Sequence, residues 1–273
     1  MTSLLVLFTL AAAATPPSLL APLAADAIAL SAAACATGDL GACAVQGGQL
    51  IGAGRWAEAA QVLAPACESG GGEACYNLGS SYARGEGPAR DVGAAAGLFR
   101  LGCDAGFALA CADLGWMLDQ GLGVPADPVA ARLFMARGCD GGAATACREL
   151  AVLWAAGRGG PTEPATAALR MKQGCALDDG KACAMEGMAF QHGRGVVADS
   201  GVSLDRFTKA CTLDYAAGCT AAALVLLKED GARAAEAVRL VDRGCMLGDP
   251  TACRILAEAG GEVTTPRPPP PPQ

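Results

Sequence analysis

The sequence predicts an all-α protein, a right-handed α/α solenoid of about six helical hairpins, on three observations. Fourteen cysteines fall into seven C-x7-C pairs: Cys35/Cys43, Cys67/Cys75, Cys103/Cys111, Cys139/Cys147, Cys175/Cys183, Cys211/Cys219 and Cys245/Cys253, starting 32, 36, 36, 36, 36 and 34 residues apart. Glycines keep the same register, with Gly85, Gly121, Gly157 and Gly193 recurring every 36 residues and Gly87, Gly123, Gly159 and Gly195 two residues behind them. Leu78, Leu114 and Leu150 stand three residues after the second cysteine of a pair, and Tyr82, Leu118, Trp154 and Phe190 seven after. Those spacings share one helical face. A period in the mid-thirties signals stacked helical hairpins, because each hairpin leaves an apolar face that only its neighbour covers.

Each unit reads in the same order. Helix A follows the second cysteine and ends at the glycine turn; Asp91, Asp127 and Asp199, with Glu163 in the fourth copy, then cap helix B, which runs to the next first cysteine. Pro128 and Pro164 sit at the first helical position, where a missing N–H costs nothing. Gly79, Gly115, Ala151 and Gly187 are small enough to let helices approach closely.

Composition narrows the function. The chain is 273 residues long and 52 % hydrophobic, but only 4 % aromatic and rich in alanine and glycine, which suits thin helical layers better than one round core. Twenty basic against 27 acidic residues give a net charge of −7, which disfavours nucleic acid as a partner. So many cysteines place the chain in an oxidising compartment. The apolar run Leu4–Ala14 has signal-peptide length and is followed by small-residue exits at Ala12–Ala14 and at Ala25-Asp26-Ala27, although no Lys or Arg precedes Arg55. The expected organisation is a signal peptide and linker over 1–27, a solenoid over 28–260 and a disordered proline-rich tail over 261–273, where five prolines run from Pro268. No membrane span is expected in the mature chain.

The words Leu78-Gly79, Tyr82, Gly85, Gly87, Asp91 and Phe99, repeated as Leu114-Gly115, Gly121, Gly123-Val124, Asp127 and Phe134, resemble the Sel-one-like repeat (SLR) family, relatives of tetratricopeptide repeats. The resemblance runs from Cys35 to Cys253 and is strongest in the middle four units. It is closest to the family's cysteine-rich secreted bacterial branch, originally described as β-lactamases or penicillin-binding proteins. That branch implies one C-x7-C disulfide per repeat. Geometry then requires a turn within each pair, since residues i and i+8 of a continuous helix lie about 12 Å apart, beyond disulfide reach. Gly38, Gly41, Gly70 to Gly72, Gly106, Gly141, Gly142, Gly180, Gly218 and Gly248 are expected to supply those turns. A nine-residue loop contributes about 2.6 kcal/mol by loop entropy, so seven stabilise the alanine-rich core by on the order of 18 kcal/mol.

Catalytic chemistry finds little footing. Zinc would need paired short knuckles or histidines, and His192 is the one histidine; redox catalysis would need C-x-x-C. A serine β-lactamase needs S-x-x-K, and neither that nor K-T-G occurs. No cofactor, metal or catalytic residue is expected. Binding remains: the resemblance implies that helix A lines a concave groove holding a protein or peptide. Residues two, five, six and nine after the cysteine face away from the buried stripe, which selects Asn77, Arg84, Asp113, Trp116, Met117, Gln120 and Glu149 as the binding strip. The expected protein is a monomeric scaffold, secreted or periplasmic in a bacterium, with a β-lactam-binding or β-lactam-hydrolysing enzyme of the same branch as the alternative.

Overall fold

The computed structural model describes residues 29–228 and 233–259; the expected leader, the proline-rich tail and the Glu229-Asp230-Gly231 turn lie outside the described residues. Within them the chain is helical from end to end and contains no strand. Helix α1 spans 29–36. The A helices are α2 (Leu40–Gly52), α4 (Gly72–Arg84), α6 (Ala108–Gln120), α8 (Ala144–Ala156), α10 (Gly180–His192), α12 (Ala216–Lys228) and α14 (Pro250–Glu258). The B helices are α3 (Trp56–Glu68), α5 (Val92–Asp104), α7 (Pro128–Asp140), α9 (Pro164–Ala176), α11 (Ser200–Thr212) and α13 (Ala234–Met246). Six A–B hairpins result, with α1 and α14 as half-units at the ends, as the cysteine register predicts.

Local chemistry sets these boundaries. Asp91 and Asp199 accept from the N–H groups of Ala94 and Val202, and Asp127 accepts from Val129 and Ala130, each satisfying donors the first turn leaves free. Glu163 departs from the pattern: it makes no cap bond and instead accepts from the Thr166 hydroxyl. Asp39, Asp179 and Asp249 cap A helices in the same way, four residues before the second cysteine. Gly85, Gly121, Gly157 and Gly193 end their A helices in the left-handed conformation. Gly195 answers a second demand, because a Cβ there would lie 2.1 Å from the Pro164 carbonyl oxygen of the preceding helix B.

The seven disulfides are Cys35–Cys43, Cys67–Cys75, Cys103–Cys111, Cys139–Cys147, Cys175–Cys183, Cys211–Cys219 and Cys245–Cys253, with Cα separations of 4.4–4.7 Å. Each clips the end of one B-type helix, or of α1, to the next A helix. Here the structure corrects the expectation that helix A begins after the second cysteine. Cys75, Cys111, Cys147, Cys183 and Cys219 are each the fourth residue of their A helix, as are Cys43 and Cys253. The turn is shorter than the nine-residue span of the pair, so the A helix starts early. The N–H groups of Cys75, Cys111, Cys147 and Cys183 already donate to the carbonyls of Gly71, Phe107, Ala143 and Asp179, which are the first α-helical bonds. That placement also turns Cys75, Cys111, Cys147, Cys183 and Cys219 inward. All five are 3 % exposed or less, so they serve as core residues as well as staples.

The turn itself is made by the residue three after the first cysteine, with φ near +90° at Gly38, Gly70, Gly106, Gly142 and Gly248. In the fifth and sixth loops the expected turn residues are Gly180 and Gly218, and the structure differs. The left-handed residues there are Asp178 and Asp214, at φ 62° and 58°, while both glycines lie inside helices. Aspartate tolerates this region because its short polar side chain bonds locally.

The core is thin and falls into three clusters along the array. Alanines, disulfide cysteines and one large side chain per layer fill it: Leu63, Phe99, Met135 and Phe207 from B helices against Leu78, Leu114 and Leu150 from A helices. Gly79, Gly115 and Gly187 form the recesses that receive Phe99, Met135 and Phe207. Trp154 is half-buried, its ring covered by the Arg132 guanidinium 3.9 Å above the centroid. Arg132 in turn donates to the carbonyls of Leu153 and Pro161 and so fixes the turn that follows α8. Neighbouring units are also tied by cations two residues before a first cysteine. Arg137 and Lys209 donate to the carbonyls of Cys103 and Cys175, at the negative ends of the preceding B helices, and pair with Asp104 and Asp178.

Successive A helices touch all along the array from α2 to α12, whereas among the B helices only α5 and α7 are in comparable contact. The A helices therefore take the inner side of the stack, and the grooves between them open there.

Candidate functional site

Each A helix offers less surface than its apolar stripe suggests. The sixth residue after the cysteine is buried in every unit from α4 to α12, as Ser81, Met117, Leu153, Ala189 and Val225. Met117, assigned to the exposed strip from sequence, is 4 % exposed and belongs to the core. The reason is that an A helix packs against its own B helix, the preceding B helix and both flanking A helices, so the buried arc extends past the i+3/i+7 stripe. The ninth position remains exposed, the fifth is partly or fully exposed, and the second is half-buried.

Between α4 and α6, over α5, these positions enclose a cavity of about 270 Å³. Its walls bring together four of the seven residues selected from sequence, Arg84, Asp113, Trp116 and Met117, and add Tyr76 and Phe99. Tyr76 stands one residue after its cysteine, a position that faces the cavity only once α5 and α6 are stacked on α4. It packs on Phe99 and Phe107 at centroid distances of 5.7 and 5.2 Å, which holds the aromatic floor rigid. Trp116 stands at the rim, 47 % exposed. Asp113 is the unusual member: partial burial pushes its carboxyl up to about 6, against the pull of the Arg84 guanidinium. Arg84 spends its own charge on Glu86 at 3.0 Å. Burial and the nearby Asp113 carboxylate hold the Tyr76 hydroxyl above its ordinary value, against the Ser80 contact and the Arg84 charge. The cavity thus presents an apolar aromatic floor with a half-desolvated carboxylate on one wall, a surface that favours an amphipathic side chain carrying a hydrogen-bond donor.

The other three selected residues are not part of it. Asn77 donates to the Ala44 carbonyl at 3.2 Å and so ties α4 to α2. Gln120 bonds to Asp119, and Glu149 is held by Arg148, which also grips the capping Asp179 at 2.6 Å. No group of three or more His, Cys, Asp or Glu side chains positioned for a metal ion occurs among the described residues, and every described cysteine is in a disulfide. No helix among them is long and apolar enough to cross a membrane.

Residues 72–107 and 108–142 match the family model described as Sel1 repeat. No curated protein matches the chain in sequence. Among solved structures it is similar to the Sel1 repeat protein from Oxalobacter formigenes, at 21 % identity and a TM-score of 0.72, covering 79 % of this chain and 89 % of that one. It is also similar to a protective antigen of uropathogenic Escherichia coli strains that displays an SLR fold, at 20 % identity and a TM-score of 0.70 over 86 % of this chain. The match spans about half of that antigen, 52 %. Residues 72–142 are thus similar to two consecutive Sel1 repeats, and the described array is similar in fold to solved Sel1-repeat proteins.

Proposed function

We propose that this chain is an exported scaffold of the cysteine-rich SLR branch, monomeric, which binds a protein or peptide segment on its concave face. Sel1 repeats usually mediate protein interactions, and seven disulfides call for an oxidising, extracytoplasmic environment. The observation that carries the reading is the cavity between α4 and α6, where a half-exposed tryptophan stands beside a carboxylate that burial has left short of solvation. A bound segment that covers Trp116 and donates to Asp113 removes both costs at once. No observation favours the β-lactam-directed alternative.

The test is affinity capture from the extracytoplasmic fluid of the source organism with wild-type, Trp116→Ala and Asp113→Asn proteins as bait. A partner retained by the wild type and lost from both variants, each with unchanged helical content, supports the reading. A partner retained equally by all three places the binding surface elsewhere.

A further inference from the structure

The groove between α8 and α10 repeats the geometry of the Asp113 cavity two units further on, with a different lining. Counted from the cysteines, Met185 stands where Asp113 does, Met188 where Trp116 does, Ala189 where Met117 does, and Met171 where Phe99 does. We propose that this groove binds a soft monovalent metal ion, Cu(I), through the thioethers of Met171, Met185 and Met188 and the imidazole of His192.

Four observations converge on it. Three of the chain's seven methionines and its one histidine line a single cleft of about 690 Å³. Met185, Met188 and His192 fall at i, i+3 and i+7 of α10, on one face, while Met171 reaches the same cleft from α9. These side chains are not spent on packing. Phe99, Met135 and Phe207, the counterparts of Met171, are buried with 3 %, 1 % and 1 % exposure, whereas Met171 is half-buried; Ala151 occupies the place of the glycine recesses that receive the other three. Finally, the intervening groove shows how such a junction closes. There Asp119 pairs with Arg158 at 3.0 Å, but here Ala155 replaces Asp119, Arg194 replaces Arg158, and Arg194 makes no ion pair among the described residues.

The donor set selects the ion. Thioethers are soft and uncharged, so they favour Cu(I) over Zn²⁺, Mg²⁺ or Ca²⁺. No carboxylate lines the cleft, and Arg194 stands at its edge, which further disfavours a divalent cation. With every described cysteine in a disulfide, no thiolate competes for the metal. Long, unbranched methionine side chains adapt to the coordination an ion demands. Thiolate, imidazole and carboxylate spacings in the sequence point to no metal; Met171 lies one helix away from the other three and joins them only in the folded array.

The oxidised full chain should be titrated anaerobically with Cu(I), supplied as its acetonitrile complex, against a chromophoric Cu(I) chelator, and in parallel with Ag(I) while methionine methyl resonances are followed. One equivalent retained, with shifts confined to Met171, Met185 and Met188, supports the site. The Met185→Leu/Met188→Leu double variant should then bind at least about tenfold more weakly at unchanged helical content, since losing even a residue that only orients a metal ligand costs that much. Met246→Leu, at an exposed methionine outside the cleft, serves as the unaffected control. Failure to retain either ion, retention unchanged in the double variant, or stoichiometric Zn²⁺ binding at the same residues overturns the proposal. Failure of both ions returns the groove to a second seat for an apolar side chain.

Discussion

Single residues separate conformational cost from contact cost. Gly142 sits at φ +94° with open space around it, so Gly142→Ala should cost only the left-handed penalty, about 1–2 kcal/mol in denaturant unfolding. Gly195→Ala meets the Pro164 carbonyl as well and should cost more; equal losses would mean that the close approach of this turn to α9 is not real. Asp113 sets a pH signature. Its folded pKa, about 6, is above the ordinary carboxylate value, so folding favours the protonated form. The contribution to stability is then full below about pH 4 and falls as pH rises through 6, by about 1–3 kcal/mol. Asp113→Asn should remove that fall, seen as the difference between the two stability–pH curves, and a parallel pair of curves would contradict it. Much of this scale was illegible in sequence. The inward side of the sixth position, Asp178 and Asp214 in left-handed turns, and Glu186 in the place of a core leucine with Arg206 at 3.2 Å all follow from neighbours that the sequence does not order.

At the scale of elements, the period spoke most clearly. Helix order, glycine C-caps, aspartate N-caps and hairpin number could be read because each rests on a local rule repeated at fixed spacing. The start of helix A could not, because the cysteine spacing bounds the turn without saying how few residues close it; Cys75 and Cys111 already lie in the first helical turn. Contacts between units were hidden too, since they depend on which residues of α4, α6, α8 and α10 the stacking brings together. The Arg137 clamp is such a contact. It joins the C-terminal carbonyl of Cys103 to the next unit and pairs with Asp104, both at partly exposed positions. Arg137→Met keeps the apolar stem and should cost about 0.5–1 kcal/mol, less at high salt. A loss above about 2 kcal/mol, or one insensitive to salt, would assign Arg137 a packing role instead.

For the whole molecule, a thin alanine-rich array is stabilised by the disulfides that staple each helix B to the following helix A. Reduction should therefore lower the thermal midpoint of the entire chain, with the disulfides together worth on the order of 18 kcal/mol by loop entropy. The proposed extracytoplasmic setting and the absence of free thiols near Met171 and Met185 both rest on those seven links. Peptide mapping of the alkylated, unreduced protein tests them most directly. Seven linked species are expected, Cys35 with Cys43 through Cys245 with Cys253, and no alkylated cysteine. Links between units, such as Cys75 with Cys103 or Cys147 with Cys175, or stoichiometric alkylation at any of the fourteen positions, would contradict it.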